Sequence, residues 1–270
     1  MKRAALLALA ALLIGATDAP ERYQSSPPRR TLTDMRDWGP WAGPFRQSLI
    51  PVLMQDFGER YLYAAANAAL PPPRPGERRV VFMGDSITDL WDLSRAFPGK
   101  PYVNRGIGAQ VTAQMLVRFQ QDVVALCPSA VVILAGTNDV QGVLQVETPA
   151  SIVANIAAMG DIADAHGIRV VLSAILPVND YTDNARDMLR DRPPAVLRAI
   201  NADLRALAKR RGYGFADYDP ALSDARGMMA ARLTSDGLHP GAEGYRLMAP
   251  IAATAIDQVL SRPAPRVVRR

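Results

Sequence analysis

Residues 80–91 read VVFMGDSITDLW and change character at Gly84. The apolar run before Gly84 is typical of a buried strand, and the residues from Ser86 onward can open a helix. A serine at such a corner can cap the helix, contribute to an anion-binding turn or act as a nucleophile. Residues elsewhere in the chain indicate which of these three roles Ser86 has.

Along the chain, apolar segments alternate with stretches of helical periodicity. The predicted strands are Arg79–Met83, Tyr102–Asn104, Ala130–Leu134, Ile168–Ala174 and Tyr213–Tyr218, and the main predicted helices are Thr112–Leu126, Ala150–Ala165, Pro194–Arg210 and Ala242–Leu260. Apolar strands separated by helices indicate a parallel sheet covered on both faces. We therefore predict an α/β fold, in which ligands bind beyond the carboxyl ends of the strands.

Composition and charge fit a globular protein. The 270 residues are 49% hydrophobic and 21% charged, and the net charge of +5 comes mostly from the final stretch RPAPRVVRR. We predict a basic, disordered tail over residues 262–270, and the interspersed charges elsewhere argue against nucleic acid as a partner. The single cysteine, Cys127, excludes an internal disulfide and is interpreted as a small buried residue.

The N-terminal residues 1–19 resemble a secretory signal peptide. Lys2 and Arg3 precede the apolar run from Ala4 to Gly15, and small residues follow. The apolar run is short for a membrane span, although an uncleaved anchor is the alternative interpretation. We expect an exported protein, periplasmic or extracellular, whose membrane contact is limited to this segment if it is not cleaved.

Residues 20–76 are predicted to form an N-terminal arm followed by a helical segment. Proline and arginine are frequent in residues 20–45, whereas Ser48–Leu70 has helical spacing with predicted interruptions at Pro51 and Gly58. The main domain is then expected over residues 77–261.

Residues that could take part in a reaction follow three of the predicted strands. Ser86 follows the first, a glycine-containing turn (NRGIGAQ, 104–110) follows the second, and Asn138 follows the third. Because parallel strands end at the same edge of a sheet, these segments are expected to lie together. They would supply a hydroxyl, free backbone N–H groups and a side-chain amide.

A nucleophilic serine needs a base, and the chain has two histidines. His166 precedes Gly167 at a predicted helix end, where a structural role is favoured. His239 lies in the turn-rich loop SDGLHPG (235–241), three residues after Asp236. Taken singly, Ser86 can be a cap, Asn138 a turn former, and Asp236 with His239 a surface loop or half a metal site. No third ligand with zinc-like spacing accompanies them, and together the four residues favour a hydrolase.

Four sequence blocks, VVFMGDSIT, NRGIGAQVT, VVILAGTNDV and SDGLHPGAEGY, resemble the SGNH/GDSL hydrolase family of GDSL lipases and acylhydrolases. The resemblance covers about residues 79–260. It implies a three-layer α/β/α sandwich with a parallel, flavodoxin-like sheet of about five strands, and a serine ester hydrolase that needs no metal or organic cofactor. It also implies that Ser86 is the nucleophile, His239 the base and Asp236 its partner. In the oxyanion hole, the Ser86 N–H and the Asn138 amide are the implied donors.

The remaining oxyanion donor departs from the family pattern. Ala109 occupies the position where the family has a glycine, and Gly108 precedes it. A backbone N–H is all that the oxyanion requires, so we expect Ala109 to serve, with Gly108 as the alternative. The motif G-x-S-x-G is absent around Ser86, which argues against the α/β-hydrolase fold. For Asp85 we favour a structural role in bracing the turn.

Substrate choice is expected to depend on the segments 140–149 and 177–192. The second is polar and charged, which favours short acyl groups on polar alcohols, such as acetylated carbohydrate; the substrate would be a small molecule or a polysaccharide ester. The alternatives are lysophospholipase or lipase activity, acyl transfer with the same triad, and a non-catalytic carbohydrate-binding module. The sequence carries no signal of oligomeric state.

Overall fold

The computed structural model describes residues 42–144 and 147–263. Its centre is a five-stranded sheet in the order β2-β1-β3-β4-β5, with every pair parallel. The strands are β1 Val80–Gly84, β2 Tyr102–Gly106, β3 Ala130–Leu134, β4 Arg169–Ser173 and β5 Gly214–Ala216. This order reverses between β1 and β3, which puts the topological switch point beside Gly84. The predicted parallel α/β sheet is confirmed.

Helices cover both faces of the sheet. They are α1 Ala42–Gln55, α2 Tyr61–Ala69, α3 Ser86–Asp89, α4 Leu93–Ala96, α5 Thr112–Asp122, α6 Thr137–Gln141, α7 Pro149–Ala165, α8 Met188–Asp191, α9 Pro194–Arg211, α10 Asp219–Leu222 and α11 Ala242–Leu260. Helices α5, α7 and α9 pack side by side on one face, and α11 packs with α4 and α10 on the other. Since both faces are covered, β1 and β3 are buried along their whole length.

The N-terminal helical segment differs from the prediction at one proline. Helix α1 continues through Pro51, so the predicted break there is wrong. A proline removes only one helical hydrogen bond, and the helix retains the others. The predicted break at Gly58 is confirmed, because residues 56–60 separate α1 from α2. The signal-peptide prediction for residues 1–19 and most of the predicted arm lie outside the described residues.

Two further predictions, the burial of Cys127 and the start of the disordered tail at residue 262, are wrong. Cys127 is exposed, not buried, because it ends a 3₁₀ turn in the left-handed conformation, with φ of 50°. The predicted disordered tail begins too early, since Arg262 Nη1 donates a hydrogen bond to the Gly212 carbonyl at 2.8 Å. Residues 264–270 of that tail lie outside the described residues. Within residues 42–144 and 147–263, no helix has the length and apolar character needed to cross a membrane.

Candidate active site

Ser86 is the first residue of α3, and Asp85 alone separates it from the end of β1 at Gly84. The cap of this helix is Asp85, whose Oδ1 accepts a hydrogen bond from the Ile87 N–H at 2.9 Å. The predicted bracing role of Asp85 is therefore confirmed, and Asp85, not Ser86, caps α3. Its hydroxyl is free to interact across the site.

Close approach of α3 to the sheet fixes the position of this corner. A Cβ at Gly84 would lie 2.1 Å from Thr88 Oγ1, and a Cβ at Gly106 would lie 2.1 Å from the Asp89 nitrogen. Only glycine fits at either strand end without displacing α3. The two glycines thus hold Ser86 directly above the ends of β1 and β2.

The structure brings Ser86, His239 and Asp236 into one hydrogen-bonded line. Ser86 Oγ lies 2.8 Å from His239 Nε2, and His239 Nδ1 lies 2.6 Å from Asp236 Oδ2. Ser86 and His239 are 153 positions apart in the sequence, so the fold alone brings them together.

The loop that carries Asp236 and His239 is held by the second oxygen of the same carboxylate. Asp236 Oδ1 accepts hydrogen bonds from the Leu238 N–H at 3.0 Å, the His239 N–H at 2.8 Å and the Thr234 hydroxyl at 3.1 Å. Partial burial opposes the charge on Asp236, but the hydrogen bonds from the His239 side chain and from the two backbone N–H groups prevail. They hold the pKa of Asp236 well below its usual range, so the carboxylate that faces His239 stays ionised.

Asn138 and the turn after β2 lie on the other side of Ser86. Asn138 is buried, and its Nδ2 donates to the Gln110 carbonyl at 3.0 Å, which leaves the second amide hydrogen available. Ala109 has φ of 63°, and among the described residues its N–H donates to no acceptor. A Cβ at Gly108 would lie 4.0 Å from Ser86 Cβ, so the turn lies against the serine.

A family model for GDSL-like lipases and acylhydrolases matches residues 82–247, which is more than half of the chain. The chain belongs to this family. It is a serine ester hydrolase, and its sheet has the α/β architecture of the solved acylhydrolases.

Two solved structures of similar sequence support the assignment to this family. A protein from Bacteroides fragilis assigned as an acylhydrolase is 36% identical, with a TM-score of 0.70 over 76% of this chain and 99% of its own. A GDSL-like lipase from Bacteroides thetaiotaomicron is 35% identical, with a TM-score of 0.69 over 75% of this chain and 98% of its own.

More distant solved structures share the fold alone. A catalytic mutant of an acetylxylan esterase from Geobacillus stearothermophilus is 18% identical, with a TM-score of 0.55 over 69% of this chain and 96% of its own. The comparison with curated proteins gives no match.

The structure of this acylhydrolase also shows an arginine that sequence reasoning missed. Arg192 is buried, its Nε donates to Thr137 Oγ1 at 3.0 Å, and its Nη2 donates to Gln141 Oε1. Burial lowers the pKa of Arg192 to about 10, partly offset by the charges of Asp191, Asp85 and Asp236. Because Arg192 lies at the end of a polar loop, its sequence context gives no sign that it is buried.

Two further predictions from the sequence concern His166 and the loop that contains Asn179. His166 Nδ1 lies 2.8 Å from the Ile162 carbonyl at the end of α7, as expected for a structural histidine. Asn179, assigned from the sequence to a polar specificity loop, is buried, and its Nδ2 donates to the Met229 carbonyl at 2.7 Å. In the described part of the hydrolase, no three His, Cys, Asp or Glu side chains are grouped to hold a metal ion.

Proposed function

We propose that the protein cleaves carboxylic esters through an acyl-enzyme formed on Ser86. The observation that carries this proposal is the pair of hydrogen bonds from Ser86 Oγ to His239 Nε2 at 2.8 Å and from His239 Nδ1 to Asp236 at 2.6 Å. In this arrangement His239 accepts the serine proton as Ser86 Oγ attacks the ester carbonyl. The ionised Asp236 holds the imidazole in the required tautomer and stabilises the imidazolium that forms.

The negative charge that develops on the carbonyl oxygen needs donors on the opposite side of Ser86. The Ser86 N–H, at the first position of α3, has no partner within the helix. The Ala109 N–H and the second amide hydrogen of Asn138 are the other two proposed donors. Gly108 is the weaker candidate, because its N–H already faces the Asp89 carboxylate.

Collapse of the tetrahedral intermediate breaks the ester C–O bond, and His239 protonates the departing alcohol. Water then attacks the acyl carbonyl while His239 takes its proton, the bond between the acyl carbon and Ser86 Oγ breaks, and His239 returns the proton to Ser86 Oγ as the carboxylic acid leaves.

We propose short acyl groups on polar alcohols, such as acetylated carbohydrate, as the substrate class. Two observations support this choice. The segment from Pro177 to Arg192 presents exposed polar side chains, namely those of Asp180, Asp183, Asn184, Arg186, Asp187 and Arg190. In addition, the fold is shared with an acetylxylan esterase.

A panel of p-nitrophenyl esters from acetate to palmitate, together with acetylated xylan, tests the substrate class, with the Ser86→Ala variant as control. We expect the highest kcat/KM with acetate or butyrate and release of acetate from xylan, both lost in Ser86→Ala. A preference for palmitate would favour the lipase alternative. Ester products formed after addition of an acceptor alcohol would indicate acyl transfer, and absence of any Ser86-dependent turnover would favour a non-catalytic binding module.

Export is a separate proposal, supported by the positively charged start and the apolar run of residues 1–19. N-terminal sequencing of protein recovered from the periplasm or medium is expected to begin after Ala16 or Ala19. An intact Met1 in the membrane fraction would instead indicate an uncleaved anchor.

A further inference from the structure

We propose that the N-terminal helical segment is part of the catalytic apparatus: residues 58–67, here called the clamp segment, hold residues 105–110, the donor turn, in the geometry that presents the Ala109 N–H. Gln110 is the central positioning residue. The inference rests on the proposed function, because it assumes that Ala109 and Asn138 stabilise the oxyanion. The clamp segment lies outside residues 82–247, which match the family model.

Gln110 connects the clamp segment to both sides of the oxyanion site. Its side chain is fully buried, and Nε2 donates to the Gly58 carbonyl at 3.0 Å and to Glu59 Oε2 at 3.2 Å. Its Oε1 accepts from Arg118 Nε at 2.6 Å, while its backbone carbonyl accepts from Asn138 Nδ2 at 3.0 Å. One residue therefore fixes the turn that carries Ala109 and orients the Asn138 amide.

The same network reaches the strand that leads to Ser86. Arg118 Nη2 donates to the Gly84 carbonyl at 3.1 Å, and its Nη1 pairs with Asp122 at 3.0 Å. The Arg118 side chain is wholly buried, so its charge is tolerated only because these partners are in place. Gln110, through Arg118, thus connects the donor turn to the end of β1.

Helix α2 forms hydrogen bonds with the other end of the donor turn, at Arg105 and Gly106. The Tyr63 hydroxyl donates to the Gly106 carbonyl, and Asn67 Oδ1 accepts from Arg105 Nε at 2.8 Å. The Arg105 guanidinium also lies 4.6 Å from the centre of the Tyr63 ring. The clamp segment therefore contacts the turn at Arg105, Gly106 and Gln110, on both sides of Ala109.

Such a clamp is needed because Ala109 adopts a conformation that suits glycine. Its φ of 63° lies in the left-handed region, which a residue with a Cβ adopts at a cost. Backbone strain of this kind persists only where surrounding contacts hold it. Without the clamp, we expect the turn to relax toward negative φ and to withdraw the Ala109 N–H from the oxyanion.

The decisive variant is Gln110→Met, which keeps the side-chain length but removes both the donor and the acceptor. We expect kcat for p-nitrophenyl acetate to fall about 10²-fold with KM little changed, because the donors move while the ground-state contacts remain. The matched control is Asn201→Leu, since the buried Asn201 amide also both accepts and donates, from the Ile175 N–H at 2.8 Å and to the Ile175 carbonyl at 2.9 Å, but contacts neither the clamp segment nor the donor turn. Its kcat is expected to match wild type.

A second variant keeps the test decisive if Gln110→Met does not fold. Tyr63→Phe removes only the hydrogen bond to the Gly106 carbonyl and is expected to lower kcat about tenfold. Its control is Tyr213→Phe, which removes the hydrogen bond from Tyr213 to Asp164, outside the network described above. That variant is expected to keep its kcat even if its melting temperature falls.

Repeating the clamp substitutions in an Ala109→Gly background separates positioning from general stability. Glycine adopts positive φ without the Cβ penalty, so the loss of kcat caused by Gln110→Met or Tyr63→Phe is expected to shrink. An undiminished loss there, clamp variants with wild-type kcat, or controls that lose as much as the clamp variants would each overturn the inference. Full activity of Ser86→Ala would instead overturn the proposed function itself.

Discussion

At the residue scale, the corner after β1 divides its tasks between two neighbours. Asp85 caps α3 with its carboxylate, whereas Ser86 directs its hydroxyl to His239. The sequence alone allowed Ser86 to perform both tasks, because serine is a frequent N-cap. With the cap supplied by Asp85, the Ser86 hydroxyl makes its side-chain hydrogen bond to His239 and not to the start of its own helix.

Asn138→Ala tests the proposed oxyanion donor. Loss of a single donor is expected to lower kcat by about 10²–10³, with little change in KM, because the interaction forms only in the transition state. Steady-state kinetics with p-nitrophenyl acetate and circular dichroism of the variant provide the measurement and the folding control. Wild-type turnover in a folded variant would remove Asn138 from the mechanism.

Asp85→Asn tests the buried carboxyl next to Ser86, the proposed nucleophile. Burial raises the pKa of Asp85 to about 6, although the Ile87 N–H and the nearby His239 act in the opposite sense. The folded protein therefore binds the carboxyl proton of Asp85 more tightly than the unfolded chain does. The stability that this proton contributes is fully present below the usual pKa of 3.8 and is lost as the pH rises through about 6. Asparagine keeps an oxygen acceptor for the Ile87 N–H but carries no charge.

We expect the free energy of unfolding of Asp85→Asn, relative to wild type, to rise by roughly 1–3 kcal/mol between pH 4 and pH 7. Urea unfolding at a series of pH values measures this difference. A difference that stays constant over the range would show that Asp85 has an ordinary pKa in the folded protein.

At the element scale, the position of the site depends on how closely α3 lies over the ends of β1 and β2. A Cβ at Gly106 would lie 2.1 Å from the nitrogen and 2.6 Å from the Cα of Asp89, and these are backbone atoms, which cannot turn aside as a side chain can.

Gly106→Ala is therefore expected to cost about 2–4 kcal/mol of stability, measured by urea unfolding. At Gly241, the nearest atom to a new Cβ would be 3.5 Å away, so Gly241→Ala is a control expected to cost less than about 1 kcal/mol. Equal stability of the two variants would contradict the close approach.

The elements most predictable from the sequence have strong signals at both ends. The bounds of β3 and α11 agree with the prediction residue for residue, because an apolar run or a periodic stretch is flanked there by proline or glycine. Strand β5 is shorter than predicted and β2 is longer. These differences arise because a strand continues only as far as its neighbour provides hydrogen bonds, which a single segment does not reveal.

At the scale of the whole molecule, the line of Ser86, His239 and Asp236 was predictable because the chain offers few alternatives. It has only two histidines, and one of them ends a helix. The network of Gln110 and Arg118 was not predictable, since it depends on contacts of the N-terminal helical segment with residues about fifty positions later. Polar residues that bury themselves through distant partners look like surface residues in a sequence.

The most direct measurement of the central claim is mass spectrometry of the full-length protein after reaction with a fluorophosphonate probe. Such probes form a covalent bond to a serine oxygen activated by a neighbouring base. We predict a single adduct on the peptide that contains Ser86, no adduct in Ser86→Ala, and much slower labelling in His239→Ala. An adduct on another residue, or ester hydrolysis by a wild-type protein that the probe does not label, would contradict the assignment of Ser86 as the nucleophile.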